Sequence, residues 1–484
     1  MRNQNDRLQQ ILDIGIALSR ERNTDKLFDY IVDTAMSLTN SDGGTLYVVK
    51  DDTLNFRIMK TKSKGVDLGS NGEEINIPPV QMSKENICAY AAINKKSLNI
   101  KNVYESNLFD FSGPKKYDEM NGYHTQSMVA IPMIDHDDEV IGVMQLINAM
   151  DDSGNIRPYS DEEERILLSL ASQTAIAISN MLYIEEINKQ IWSFTEALTE
   201  AIDARTPYNG SHTRKVAEYA GKIADYINLM HEEGKEDTYF TAEHKDQLVM
   251  AAYLHDIGKM IVPIEVMNKQ TRLGRHLEKI DAKLEIINLH LDLDYVKKEI
   301  ALEEYNAKKE LFSHAKEVIH TADAAGFLTD DLYEQVKEIV SLSYKNKDNT
   351  VVIPLFTEEE KTCIQVRKGT LTDEERKIME SHVVMTERIL SKVHFNKKYI
   401  DAPKWAAEHH ECINGTGYPG HLSGEKLGIE SRILAVADIC DALLATDRPY
   451  KKPMPKEKAF EILKNMAKEG KIEEKYVEYL EKCI

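Results

Sequence analysis

Closely spaced cysteines are absent: Cys88, Cys363, Cys412, Cys440 and Cys483 lie far apart and form no C-x-x-C pair. Buried, reduced thiols in a cytosolic protein are the simple reading. There is no run of about 18 apolar residues, so no membrane span is expected. The opening MRNQNDRLQQILDIG scatters charge where a secretory signal needs an apolar core, and a cytoplasmic location is expected. Positive charge is in short supply, with 61 Lys and Arg against 81 Asp and Glu and a net charge of −20. That balance argues against wrapping a nucleic-acid polymer and against an anionic membrane surface. It leaves a small anionic substrate open, because local cations or bound metal can outweigh the global field.

At 484 residues the chain is too long for one ordinary core, and roughly two or three domains are expected. Hydrophobic residues at 42% and charged residues at 29% are normal for a globular protein and exclude a largely disordered one.

Residues 1–39 place apolar positions at helical spacing, in LQQILDIGIAL and again in KLFDYIVDTAMSL. Asn40 to Gly44 reads as a turn cluster, and TLYVVKDDTLNFRIMK as a β-hairpin turned at Asp51-Asp52. A short helix over Glu85 to Asn94 and a loop follow. Strands at 127–134 and 139–150, joined by the acidic turn Asp135 to Asp138, close the region. Helix, hairpin, helix, hairpin predicts an α+β domain on an antiparallel sheet. The layout resembles a GAF domain over roughly residues 20–182, on the phrase NGYHTQSMVAIPMID followed by GVMQLIN. Such domains bind cyclic nucleotides, haem, bilins or nothing known, so the resemblance leaves the identity of a small ligand here open. Cys88 could serve a bilin or a redox site, or act as a small core residue; His124 and His136 could meet haem, or lie on the surface.

Ser160 opens the next segment, where S-D-E-E forms a capping box through Glu163. Neither Gly nor Pro appears again until Pro207, so a helix to Asp203 is predicted, roughly 65 Å long at 1.5 Å per residue. Along it Leu170, Thr174, Ala177, Met181, Ile184, Asn188, Ile191, Thr195, Leu198 and Ile202 alternate spacings of four and three. That pattern reads as a heptad seam with Asn188 setting register, hence a homodimer; the other reading is a helix packed on its own domain. From His212 onward the chain is mainly helical. Between Arg275 and Ala325 there is neither Gly nor Pro, and Leu277, Ile280, Leu284, Ile287 and Leu291 form a further seam. Glu303 to Ile319 and Asp330 to Leu342 read as helices too.

The strongest signal is Leu254-His255-Asp256-Ile257-Gly258-Lys259. A lone His-Asp pair says little, but HHECINGTGYP at 409–419 and VADICDALLATDRPYKK at 436–452 accompany it. Upstream, YNGSH puts His212 at the start of a helix, and His382 lies in the amphipathic run EERKIMESHVVMTERIL. His212, His255, Asp256, His382, His409, His410 and Asp438 together are enough to hold two divalent metals, with one carboxylate bridging. Buried groups of this kind need a partner or a metal.

These boxes, HDIGK, HHExxxGxGYP and ADxxDAL…DRPYK, resemble in order those of the HD-GYP phosphodiesterases, a branch of the HD phosphohydrolases. The likeness spans about 195–270 and 369–470. It implies an all-helical catalytic domain, an iron or manganese centre and hydrolysis of cyclic di-GMP to pGpG, with a second cut to GMP left open. By motif it assigns His212, His255, Asp256 and Asp438 to one metal, with Asp256 bridging, and His382, His409 and His410 to the other. It assigns Lys259 to the substrate phosphate, Arg448 and Lys451 to the dinucleotide, and Gly417, Tyr418 and Pro419 to the pocket mouth. Glu411 is read as orienting a ligand imidazole. Where some members carry an acidic ligand for a third metal this chain has Tyr208, so two metals are implied. NKQ and GTLTDEER match the flanks of a short family loop, which makes residues 270–368 an insertion, either an arm or a lid.

The expected architecture is therefore multidomain. A GAF sensor over 1–159 is joined by a long helix, 160–205, to an all-α HD-GYP domain over 206–484, with a helical insertion at about 270–368. The rival functions are hydrolysis of another cyclic dinucleotide or nucleotide, and a catalytically silent signalling relay.

Overall fold

The segment TDKLFDYIVDTAMSLT forms α1 (Thr24–Thr39), and its apolar stripe Leu27, Phe28, Ile31, Val32, Ala35 and Met36 is buried. The structure, a computed structural model, describes residues 24–70, 75–112, 115, 118–119, 122–205, 211–445 and 454–484. The helical pattern expected before Thr24 lies outside them.

β1 (Ser41–Lys50) and β2 (Thr53–Thr61) pair antiparallel around Asp51 and Asp52, whose φ angles are 49° and 55°. Two positive φ values in a two-residue loop match the right-handed twist of the strands. Gly43 and Gly44 belong to β1 and not to a turn, contrary to the sequence reading. A Cβ on Gly44 would lie 2.9 Å from side-chain atoms of both Met36 and Val32, so glycine here lets α1 lie close on the sheet.

The other strands are β3 (Val66–Leu68), β4 (Val80–Gln81), β5 (Leu98–Ile100), β6 (Met128–Ile134), β7 (Val140–Met150) and β8 (Ile156–Arg157). They form an antiparallel sheet in the order β3-β2-β1-β7-β6-β5, with β4 on β2 and β8 on β7. Successive side chains of a strand face opposite ways. Val129, Ile131 and Met133 of β6 thus join α1 in one core, while Met128 and Ala130 join α2 (Ile87–Asn94) in the other. Cys88 of α2 sits in that second core, and burial pushes its thiol up to about 12. It is a core residue and a poor nucleophile.

The long helix α3 runs unbroken over Asp161–Asp203, and the Ser160–Glu163 capping box is present. The chain divides into two units, Met1–Ile191 and Trp192–Ile484, and α3 contributes to each. The continuous seam read from sequence is not free. Leu170 and Thr174 are buried in the first unit, Thr195 and Ile202 in the second, and Ile184 between them is 60% exposed. The ends of the helix have found partners in their own units. Among the described residues α3 is also the one helix long and apolar enough to cross a membrane, with a mean hydropathy of 1.4 over its best window. Ser169, Ser172, Gln173, Thr174, Ser179 and Asn180 interrupt its apolar stretch, and Leu167, Leu170, Ala171, Ala175 and Ile178 are core.

The second unit opens with α4 (His212–Glu232), α5 (Ala242–Leu254), a 3-10 turn at Ile257–Met260 and α6 (Ile264–Met267). Then come α7 (His276–Val296), α8 (Leu302–Ala324), α9 (Asp330–Ile339), the ribbon β9 (Ser343–Lys345) and β10 (Val352–Pro354), and α10 (Glu358–Ile364). It closes with α11 (Asp373–Leu390), α12 (Ala402–Ala407), α13 (Ile429–Leu444), α14 (Lys456–Lys468) and α15 (Glu474–Cys483).

The segment expected as an insertion holds a hydrophobic cluster that includes Ile280, Leu284, Ile287 and Leu291 of α7, and all the buried members of that cluster fall between Leu273 and Ile364. Its neck is pinned. The Thr370 hydroxyl donates to the Lys269 carbonyl at 3.1 Å, and Lys269 Nζ lies 2.7 Å from Glu375. Just inside the neck, fully buried Arg272 donates to the carbonyls of Val366 (2.6 Å), Ala322 (2.7 Å) and Ala325.

Candidate metal centre

Five segments deliver the polar residues of the second unit to one buried point. His212 is the first residue of α4, and His255 and Asp256 follow the last turn of α5. His382 sits on α11, which starts at a Thr372–Glu375 capping box; His409 and His410 follow α12, and Asp438 lies on α13.

The orientation of the imidazoles is specific. Nδ1 of His255, His382 and His409 each bonds the backbone carbonyl three residues earlier, Ala252 (2.6 Å), Met379 (2.6 Å) and Ala406 (2.7 Å). His212 Nδ1 is 2.7 Å from Asp441 Oδ2. A carbonyl at Nδ1 requires the proton there and leaves Nε2 with its lone pair, the form a metal takes. Nε2 of His255, His382 and His409 and Oδ1 of Asp256 are buried without a hydrogen-bond partner among the described residues. Orphaned polar atoms are costly inside a protein. Here they converge.

Asp256 lies between two sets of rings. Its Oδ2 is 3.2 Å from His255 Nε2 and 3.5 Å from His212 Nε2. Its Oδ1 is 3.5 Å from His382 Nε2 and 3.9 Å from His409 Nε2. Asp438 Oδ1 approaches His212 Nε2 at 3.3 Å, and Asp438 Oδ2 approaches His410 Nδ1 at 3.8 Å. The ligand atoms fall into two groups of metal-binding size, His212 with His255 and Asp256, and His382 with His409 and His410. The donor set is nitrogen and oxygen with no thiolate, which suits borderline and hard divalent ions.

Charge agrees with this geometry. Burial lowers His382 to about 4 and holds His409 and His410 below the ordinary histidine value, favouring neutral imidazoles. Burial opposes charge on Asp256 as well. The imidazole of His255 and the ammonium of Lys259, whose Nζ lies 2.5 Å from Oδ2, outweigh it and keep the carboxyl well below the usual range. His212 is raised despite its burial, because Asp256, Asp438 and Asp441 surround it.

Several residues around the centre hold it in shape. Thr386 Oγ1 accepts from the Gly258 N–H and donates to the His255 carbonyl, both at 3.0 Å. A Cβ on Gly258 would lie 1.8 Å from the His382 carbonyl, so only glycine lets the HDIGK turn seat flush on α11. Glu411 does not orient an imidazole, as the sequence reading had it. Its carboxylate accepts the N–H groups of Gly420 (2.6 Å) and Leu422 (2.9 Å) and so fastens the GYP loop. Gly417 is packed where a Cβ would lie 2.3 Å from the Cys412 nitrogen, the Tyr418 ring is 4.9 Å from His410, and Pro419 is exposed. Asp441, which orients His212, was not singled out from sequence. Its spacing of three from Asp438 puts both on one helix face, and that was the available signal. Tyr208, Arg448 and Lys451 lie outside the described residues.

With fold and centre in view, comparison with known families gives a GAF domain over residues 23–178 and HD domains over 209–348 and 361–475. The chain joins a GAF domain to an HD domain. The chain is similar to the 3'3'-cGAMP-specific phosphodiesterase 3 of Vibrio cholerae, 37% identical over 97 residues covering 20% of each chain. A cyclic di-GMP phosphodiesterase of Thermotoga maritima is 38% identical over 104 residues, 22% of this chain and 28% of that one. The 3'3'-cGAMP-specific phosphodiesterase 2 of Vibrio cholerae is 32% identical over 210 residues, 42% of this chain and 38% of that one. The matches thus span well under half the length of these relatives.

Proposed function

We propose that this GAF–HD protein is a metal-dependent phosphodiesterase that opens cyclic di-GMP to pGpG, under control of its GAF domain. The observation that carries this reading is the set of three Nε2 atoms turned, with no hydrogen-bond partner among the described residues, onto the two oxygens of one buried aspartate. His212, His255, Asp256 and Asp438 would hold one divalent ion, and His382, His409 and His410 a second, with iron or manganese suited to the donors. Such ions, when bound, supply Lewis acidity for the phosphodiester and acidify water. Asp256 faces one imidazole group with each of its oxygens, which supports its reading as the shared ligand. Lys259 stands 2.5 Å from Asp256 with its side chain about one-fifth exposed, where its ammonium would donate to a non-bridging phosphate oxygen and stabilise its negative charge. Tyr418 beside His410, with Gly417 and Pro419, would form the rim, and Arg448 and Lys451 would hold the dinucleotide.

The division of labour we infer is a sensor over 1–159, a connector over 160–205 and a catalytic domain over 206–484 with an accessory arm over 270–368. Ile176, Tyr183 and Ile187 on α3 recur at spacings of seven and four and are 46%, 46% and 51% exposed. Apolar residues so placed support a homodimer through the connector. A second substrate reading, 3'3'-cGAMP, has support from the names of two relatives. Kinetics of the anaerobically purified full chain on both cyclic dinucleotides decide between them. We expect kcat/KM to favour cyclic di-GMP; the reverse order selects the mixed dinucleotide, and turnover of neither removes the reading.

A further inference from the structure

The last turns of α3 lie within the second unit, and several of their contacts fall on the stretch of chain that carries His255, Asp256 and Lys259. Trp192 donates from Nε1 to the Tyr399 hydroxyl at 3.0 Å and meets the Tyr253 ring edge-on at 5.6 Å. Thr199 Oγ1, which bonds the Thr195 carbonyl at 2.9 Å, lies 3.3 Å from the Tyr253 carbonyl, close to the C-terminal end of α5. Two residues beyond the helix, the Arg205 guanidinium donates to three carbonyls: Lys259 (3.3 Å) and Met260 from Nη1, and Val262 (3.3 Å) from Nη2. Asn268 Nδ2 returns a bond to the Arg205 carbonyl at 3.4 Å. A guanidinium presents its N–H groups in a rigid planar fork, so a single side chain can fix the relative positions of several acceptors.

The turn it grips is short. Its backbone bonds run from Lys259 N–H to Asp256 O at 2.9 Å, Ile261 N–H to Gly258 O at 3.1 Å and Val262 N–H to Lys259 O at 3.2 Å. Its first residue follows Asp256, and its third is Lys259. The face toward α11 is pinned by Thr386 and by the close seat of Gly258, and Arg205 pins the other end. We propose that Arg205 is a positioning residue that ties the Asp256–Lys259 turn to the end of the connecting helix. A displacement of that end then alters how Lys259 is presented to the phosphate without removing a metal ligand. This supplies a route for control of the site, and only its activity readout rests on the phosphodiesterase reading.

Full-length Arg205→Ala and Arg205→Lys, loaded with Mn2+, test it. Amide exchange over residues 257–262 should speed up about ten-fold in Arg205→Ala, with α4 and α11 unchanged. Arg205→Lys keeps the charge but loses the fork, and should fall between. Metal content per chain should stay at the wild-type value in both, while kcat on cyclic di-GMP falls about ten-fold in Arg205→Ala, as slight misplacement of a charged group allows. Unchanged exchange over 257–262, or a kcat equal to wild type with that exchange raised, overturns the proposal. If Arg205→Ala does not fold, Arg205→Lys decides: faster exchange confined to 257–262 supports the role, and a uniform or absent rise contradicts it. Should the wild type hydrolyse no cyclic dinucleotide, the functional reading fails while the exchange result still judges Arg205.

Discussion

At the scale of single residues, the centre depends on keeping Nε2 of four histidines aimed inward. Asp256→Asn keeps the shape and removes the charge that faces both imidazole groups. Turnover should fall by more than about 1,000-fold and bound metal should drop, while circular dichroism stays unchanged. His255→Ala should act likewise; full metal content with wild-type turnover in either variant would refute the assignment. Asp441→Asn tests orientation: loss of the carboxylate behind His212 should weaken metal binding about 10- to 100-fold, as for other second partners of ligating histidines. The metal-free site also has a pH signature. His382, His409 and His410 are held below the unfolded value, so the unfolded chain binds protons that the folded one refuses, and stability falls as pH drops from about 6.5 toward 4. His212, raised by its carboxylates, contributes in the opposite sense and is outnumbered. The Tm of chelator-treated protein should therefore fall from pH 6.5 to pH 4.5, and a rise would contradict this balance. The residue types of the centre were legible because adjacent ligands travel in short boxes. The partner of Glu411 was not, since it consists of backbone N–H groups nine and eleven residues on, and no side-chain pattern announces it.

At the scale of elements, close approach decides more than propensity does. Gly258→Ala would drive a methyl group into the His382 carbonyl and the Thr386 nitrogen, at 1.8 and 2.6 Å. We expect at least about 3 kcal/mol of destabilisation in urea melts, the upper end for overpacking; a loss under 1 kcal/mol would mean that the turn can move away from α11. Long periodic helices such as α3 and α7 could be read from sequence, because many residues repeat the same signal. The start of β1 could not, because Asn40 to Gly44 looks like a turn until α1 is laid across it. The ribbon of β9 and β10 has three residues per strand, too few for a period of two to show. The seam on α3 was right as a helix pattern and wrong as a single surface. Periodicity records which face is apolar and not whether a sheet, a neighbouring helix or a second chain covers it.

At the scale of the whole molecule, we expect the segment over 270–368 to be separable from the chemistry. Replacing residues 271–368 with a short Gly-Ser linker should leave a folded, metal-loaded chain, since the cluster it removes lies within the insertion and its ends already meet at Lys269 and Thr370. Retained turnover marks an arm, altered affinity marks a lid, and loss of folding would make the segment part of the catalytic core. Tyr183→Glu with Ile187→Glu should turn a dimer into a monomer in sedimentation velocity; an unchanged dimer would move the interface elsewhere. The most direct test counts metal and turnover on one anaerobic preparation of the full chain, with Asp256→Asn beside it. Two divalent ions per chain and conversion of cyclic di-GMP to pGpG, both lost in the variant, are the expected result; turnover that persists in metal-stripped protein, or in the variant, would contradict it.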